Sequence, residues 1–249
     1  PPAKFRGAPF WSWNDRLSKK ELCRQVRDMK AHGMGGFFMH SREGLEIEYL
    51  GREWMDCIKA TVSEAKRAGM IAWLYDEDRW PSGFAGGMVS KGNAECKAKA
   101  LTMEALKGSY IPDGSEQGVF SAVIKGNRLI SLRKAGLRFA SRDLRRAGLH
   151  KSVTPRKNES ILVFRLEISE PDEGYNCETY GDNLSPVSVK KFIQTTYEAY
   201  KKSVGGEFGK TIPGIFTDEP HVTGFLSKRS KQTWTAYNGF RTNPEGVLR

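Results

Sequence analysis

Three features of the sequence predict an α/β fold built on a parallel sheet. Short, nearly continuous apolar runs occur at residues 8–13, 35–39, 70–75 and 212–217, and the first three are joined by single amphipathic helical patterns. Each run stops at a polar, chemically capable residue: Asn14, His40, Asp76 and Asp218. The ends of the first three, Trp13, Met39 and Tyr75, lie 26 and 36 residues apart, close to the roughly 31 residues per unit of an eight-fold β/α barrel. Apolar strands joined by helices also predict a sheet covered on both faces. The fold class is therefore α/β, a partial (β/α)8 TIM-type barrel of about four β/α units. A barrel closed by further units and an open α/β sheet both remain as alternatives.

Taken in order, Ala8 to Trp13 reads as the first strand. Ser18 then supplies a helix N-cap with Glu21 three residues on, the capping-box spacing. Leu22, Val26 and Met29 share one face of that helix, and Gly33 suits its left-handed end. Gly35 to Met39 is the second strand. The second helix, Arg52 to Ala68, places Trp54, Ile58, Val62 and Ala65 on one stripe and ends at Gly69, and Met70 to Tyr75 is the third strand. From Tyr75 to Thr217 is 142 residues, about 110 more than one barrel unit requires. Within that length, Val119 to Ile124 and Arg128 to Leu132 flank Lys125-Gly126-Asn127 as a β-hairpin, and Ile161 to Ile168 reads as another strand. A β-rich insertion thus separates units three and four. Ser185-Pro186 opens the next helix, striped by Val189, Phe192, Ile193, Thr196 and Tyr200, before the fourth strand, Ile212 to Thr217. The expected division is 1–100 for units one to three, 101–175 for the insertion, 176–226 for unit four and 227–249 for an irregular basic tail.

Composition narrows the functional classes. Among 249 residues, 40 Lys+Arg against 29 Asp+Glu give a net charge of +11, with 39% hydrophobic residues, the make-up of a soluble globular chain. The excess is localised. Residues 125–157 hold eleven basic residues and one acid, Asp143, and residues 227–249 hold five basic residues and Glu245. The remaining, motif-bearing residues are slightly negative, which argues against a nucleic-acid surface there. No apolar run approaches the roughly 18 residues that cross a bilayer. The start, Pro1-Pro2-Ala3-Lys4, has neither an initiator Met nor a signal-peptide apolar stretch, so any export signal has been removed or never existed; the location is open, with cytoplasmic favoured over secreted. Cys23, Cys57, Cys96 and Cys177 lack CxxC spacing and the chain has four His, so no structural zinc is expected. No cofactor is expected either, the one alternative being calcium on the oxygens of Asp76, Glu77 and Asp78.

In parallel β/α architectures ligands meet the residues just past the strand C-termini. That rule gathers Asn14, His40, Asp76-Glu77-Asp78 and Asp218-Glu219 on one rim. Several carboxyl groups facing one pocket suit sugar hydrolysis, in which one protonates the departing oxygen and another attacks or activates water. Glu219, a strand-end acid followed by Pro220, is the leading catalytic candidate, with Asp218 in support and Glu77 as a further candidate. Asn14, His40, Asp76, Asp78, Arg79, Trp80 and Trp13 are the candidate substrate-binding residues, the tryptophans by stacking. Structural roles compete: Asn14 as a turn cap, His40 as a core residue, Arg79 as a partner for a neighbouring carboxyl, and at least one of Trp11 and Trp13 in the core. Gly83-Phe84-Ala85-Gly86-Gly87 carries neither a Walker Lys-Ser/Thr nor a dinucleotide fingerprint.

The runs Pro9-Phe10-Trp11-Ser12-Trp13-Asn14, Gly35-Gly36-Phe37-Phe38-Met39-His40-Ser41-Arg42, Tyr75-Asp76-Glu77-Asp78-Arg79-Trp80-Pro81-Ser82-Gly83 and Gly214-Ile215-Phe216-Thr217-Asp218-Glu219-Pro220 resemble the N-terminal part of large bacterial glycoside hydrolase-like proteins. The nearest resemblance is to the α-L-rhamnosidases of glycoside hydrolase family 106. It covers about residues 5–90 and 175–225. It implies a (β/α)8 catalytic domain with a β-rich insertion, in a protein several times longer. It also implies an acid/base residue at the end of strand four, which falls on Glu219, and a second carboxyl from a later strand. The expected function is hydrolysis of O-glycosidic bonds in a carbohydrate substrate, with no nucleic-acid or membrane partner. A non-catalytic carbohydrate-binding scaffold and a polyanion binder acting through residues 125–157 are the alternatives.

Overall fold

The computed structural model describes residues 1–135 and 152–222. They fall into two compact units, Pro1–Lys97 with Pro171–His221, and a second built on Ala98–Glu170. The basic tail at 227–249 and the middle of the basic stretch, 136–151, lie outside the described residues.

The first unit contains β1 (Phe10–Trp13), α1 (Lys19–Ala31), β2 (Gly36–Ser41), α2 (Arg52–Ala68) and β3 (Ile71–Tyr75). The second unit's strands then intervene, and the first unit resumes with α3 (Pro186–Thr195), α4 (Tyr197–Val204) and β8 (Ile215–Phe216). Its four strands pair in parallel in the order β1-β2-β3-β8, so each new strand is added on the same side of the last. Right-handed crossovers taken repeatedly in one direction put every helix on one face of the sheet. The core has that arrangement: Leu22 and Val26 of α1, Trp54, Ile58 and Val62 of α2, and Tyr200 and Val204 of α4 form one cluster with Trp13, Phe37, Met39, Ala72 and Leu74 of the strands.

Among the described residues the helices cover one face of the sheet, whereas the sequence predicts cover on both. The face away from the helices carries an aromatic layer contributed by all four strands. Phe10 stacks on Phe38 with ring centroids 4.8 Å apart, and Phe38 stacks on Trp73 at 5.3 Å. Phe10 remains 48% exposed. Phe10 and Phe216 stand on the two outer strands, which a flat sheet would separate by about 14 Å, yet their ring centroids are 4.9 Å apart. A sheet curled toward this face brings the rings together.

Local signals explain most element ends. Gly69 closes α2 in the left-handed conformation at φ +61°, where a side chain would be strained. Ser185 caps α3 through its hydroxyl, which accepts from the Ser188 N–H. Ser18 stands at the N-cap of α1 but makes no cap bond. Glu21 instead turns outward to Arg24 and Gln25, so the expected capping box does not form. The single helix expected after Ser185 is two helices, interrupted at Thr196, and Ile193 of the expected stripe is exposed.

The second unit is an antiparallel sheet in the order β4-β7-β5-β6, from β4 (Lys99–Leu106), β5 (Glu116–Lys125), β6 (Arg128–Lys134) and β7 (Ser160–Ile168). β5 and β6 form the expected hairpin. β4 is an addition to the expected elements. Its Leu, Met, Glu and Ala favour helix, and eight residues of pairing with β7 override that preference. Among the described residues no helix is long and apolar enough to cross a membrane.

Trp54 sits at the centre of the first unit, its ring centroid 5.1 Å from that of Trp13 and its indole N–H donating to the Tyr200 hydroxyl at 3.3 Å. Trp54→Ala is expected to destabilise the protein by about 3–5 kcal/mol, read as a lower urea midpoint; an unchanged midpoint contradicts this packing.

Candidate functional site

Parallel pairing sets the C-terminal ends of β1, β2, β3 and β8 along one edge of the sheet. Asp76, Glu77 and Asp78 leave β3 there in succession, and all three are buried. Their oxygens are taken up by three different sets of protein donors.

Glu77 is enclosed completely by the loop that follows it. One oxygen, Oε1, accepts the N–H groups of Asp78 at 2.8 Å and Gly86 at 2.7 Å. The other accepts those of Gly83, Phe84 and Ala85 at 3.0, 2.9 and 2.7 Å. Gly83 and Gly86 have φ +131° and +61°, conformations that glycine takes without strain and that turn successive N–H groups inward. Burial pushes the Glu77 carboxyl up, to about 8, against the opposite pull of the N–H groups of Asp78, Ala85, Gly86 and Phe84. Glu77 is thereby corrected from a catalytic candidate to the anchor of its loop, since both oxygens face backbone and neither faces the rim.

Asp76 accepts from the hydroxyls of Ser82 at 2.5 Å, Tyr197 at 2.7 Å and Thr217 at 2.7 Å. Burial pushes its carboxyl upward and these three bonds pull it down. Ser82 also joins the two loops of the rim. Its hydroxyl accepts the Asp218 N–H at 2.9 Å, and its own N–H donates to the Asp218 carbonyl at 2.9 Å. Asp78 accepts from the Ser41 hydroxyl at 2.6 Å and the Asn176 amide at 3.0 Å. Asp76 and Asp78, expected to bind substrate, thus face protein partners instead. Among the described residues no group of three or more His, Cys, Asp or Glu is arranged to hold a metal ion.

The loop after β8 carries the exposed acid. Asp218 is half-buried beside the Tyr75 hydroxyl, 2.9 Å from its Oδ2. Glu219 is exposed and lies at φ +43°, a left-handed conformation uncommon for a residue with a side chain. Its Oε2 accepts the Trp80 indole N–H at 3.2 Å. Trp80 itself is 44% exposed. His40, at the end of β2, is 4% exposed, and its Nε2 has no hydrogen-bond partner among the described residues. Its ring lies 3.8 Å from that of Tyr75, centroid to centroid. Burial, and then the Arg42 charge, lower its pKa to about 4, so the ring is neutral at neutral pH.

Of the other expected residues, Asn14 is exposed just past β1. Arg79 is half-buried and donates to the Asn176 side chain rather than to a neighbouring carboxyl. Trp13 is corrected to a core residue: it is buried on the helix-covered face against Trp11 and Trp54, where no substrate reaches it. Several residues that build the rim escape sequence reasoning, among them Ser82, Tyr180, Asn183, Tyr197 and His221. Ser82 belongs to a visible motif, but nothing local marks it as the serine that joins two loops. Tyr180 and Asn183 belong to irregular chain with no periodic signal.

No protein-family model matches the chain, and no curated protein matches its sequence. Among solved structures, a rhamnosidase from Novosphingobium sp. PP1Y is similar, with a TM-score of 0.36 and 13% identity. The similarity covers 68% of this chain, and the chain spans 26% of the length of that protein.

Glu77→Gln offers one acceptor oxygen where two are used and turns an NH2 group toward at least two N–H donors. With two buried donors left unpaired, a loss of about 2–6 kcal/mol is expected, measured by denaturant unfolding; a variant as stable as the parent contradicts the role given to Glu77. His40 yields a pH dependence. Its folded value near 4 lies below the ordinary 6.5, so the unfolded chain takes up a proton that the folded chain refuses. Stability from this residue is complete above about pH 6.5 and falls progressively toward about pH 4. The Tm of His40→Phe should accordingly depend less on pH across that interval, and parallel profiles would refute the assignment.

Proposed function

We propose that the first unit is the opening half of a (β/α)8 glycoside hydrolase domain and that Glu219 donates the proton to the departing glycosidic oxygen. The fold part of this reading is supported by the sequential strand order, the one-sided helices and the aromatic face toward which the sheet curls. Buried parallel sheets have both faces covered, and further strands of a closing barrel would cover this one.

One observation carries the chemical part. Of the five strand-end acids after β3 and β8, Asp76, Glu77 and Asp78 are buried against protein donors and Asp218 lies beside Tyr75, whereas Glu219 is exposed, with one oxygen fixed by Trp80. A proton donor must reach the oxygen it protonates and must be held in place. Trp80 would stack on the sugar, and His40 and Asn14 would bind hydroxyls, His40 through its unpartnered Nε2. Arg79 acts on the loop through Asn176. The second carboxyl, on the opposite side of the scissile bond, would come from a later strand, and an α-L-rhamnoside is the first substrate to try. The inward commitment of Asp76, Glu77 and Asp78 favours one alternative, a carbohydrate-binding scaffold without turnover.

In the full-length protein, Glu219→Gln should lower hydrolysis of unactivated rhamnosides by about 10²–10⁴-fold. The loss should be much smaller on aryl rhamnosides whose leaving group needs no proton. Equal activity of variant and parent on every glycoside tried removes Glu219 from the mechanism; sugar binding without turnover by the parent selects the scaffold.

A further inference from the structure

Acid chemistry at Glu219 does not account for the residue two positions on. The His221 ring stands at 83° to the Trp80 indole, with ring centroids 5.5 Å apart, and at 64° to the Tyr180 ring at 6.0 Å. The backbone that carries it is held on both sides. The His221 N–H donates to the Tyr180 hydroxyl at 2.9 Å, and the His221 carbonyl accepts from the Asn183 amide at 2.7 Å. Asn183 also donates to the Tyr180 hydroxyl at 2.9 Å, and that hydroxyl in turn donates to the Ser82 carbonyl. Trp80 is fixed from the other direction by its N–H on Glu219. Trp80 and His221 are therefore rooted in the same loops, and contacts within the protein set their right-angled arrangement.

We infer that Trp80 and His221 form a right-angled saccharide subsite beside Glu219. A pyranose ring would lie with its C–H face on the indole and its hydroxyl edge toward the imidazole and the Glu219 carboxyl. The ligand class follows from the mixture of surfaces. A half-exposed indole takes an apolar face and attracts the slightly positive hydrogens of C–H bonds through its quadrupole. The imidazole and carboxyl offer donors and acceptors at the edge, which a purely aromatic ligand would leave unpaired. A phosphate, rich in acceptors, would meet the acceptor oxygens of Glu219. An ammonium group could use the indole and the carboxyl, but it has no use for the imidazole wall. The saccharide assignment rests on the glycosidase reading above, whereas the corner itself rests only on the contacts of Trp80, His221, Tyr180 and Asn183.

The test follows the indole N–H signals of the ¹⁵N-labelled chain during titration with methyl α-L-rhamnopyranoside and, separately, with choline. Trp80→Phe, which keeps a stacking face, identifies the Trp80 signal by its disappearance. The expected result is a Trp80 signal that moves with the sugar and not with choline. Trp80→Ala should weaken binding roughly tenfold or more through the lost stacking area. His221→Ala should weaken it about threefold or more, with the remaining indole signals unmoved in both variants as evidence that the fold persists. Sugar binding that leaves the Trp80 signal in place, with parental affinity in both variants, overturns the subsite and leaves the carbohydrate reading standing. A response to choline in place of sugar overturns the ligand class, and so does the absence of any response to the sugar. The role of Glu219 is decided separately by hydrolysis, so the two readings fail independently.

Discussion

Glu77 places a carboxyl group inside the protein with five backbone N–H groups around it. Burying either side alone would be costly, because the acid would lose its hydration and the N–H groups would lack acceptors. Together they satisfy one another and fix ten residues of irregular chain, Glu77 to Gly86, without a helix or a strand. The rest of the rim is attached to that loop. Ser82 holds Asp218 through two hydrogen bonds, Trp80 holds Glu219 through one, and Tyr180 connects Ser82 to His221. Positions on the β8 loop are thereby set by a residue at the end of β3.

This arrangement divides labour among acids that look alike in sequence. Asp76, Glu77 and Asp78 bind chain to chain, whereas Glu219 faces solvent in a strained backbone conformation. Strain of that kind persists only where the surroundings enforce it, and here the enforcing contacts run back through Ser82 to Asp76. The proton-donor role proposed for Glu219 would gain from such a support, because its position is already set before a substrate binds.

The parallel α/β core was largely legible in the sequence. Its strands are continuous apolar runs, its helices have clear stripes, and Gly69 and Ser185 mark helix ends by chemistry that acts locally. What depended on non-local contacts was hidden. Alternation along Phe10-Trp11-Ser12-Trp13 separates two faces but does not say which one the helices cover, and so Trp13 was open to a sugar-binding role that its burial removes. Three consecutive acids disclose a polar strand end, yet the partners that set their roles come from far along the chain, as with Thr217 on Asp76, 141 positions away. β4 was hidden for the opposite reason, since its local preference for helix yields to pairing with β7. The exposed positions of Glu219 and Trp80 on the rim were legible, because a strand end next to proline and a large aromatic in a turn are both local signals.

The central claim is that one buried carboxyl organises the rim, and amide hydrogen exchange on the unmodified protein tests it most directly. The N–H groups of Asp78, Gly83, Phe84, Ala85 and Gly86 belong to no regular element, so without Glu77 as their common acceptor they would exchange at rates typical of a loop. All five are expected to be protected to a similar degree, comparable with the amides of β3, and to open together. Fast exchange, or five unrelated rates, would contradict the claim.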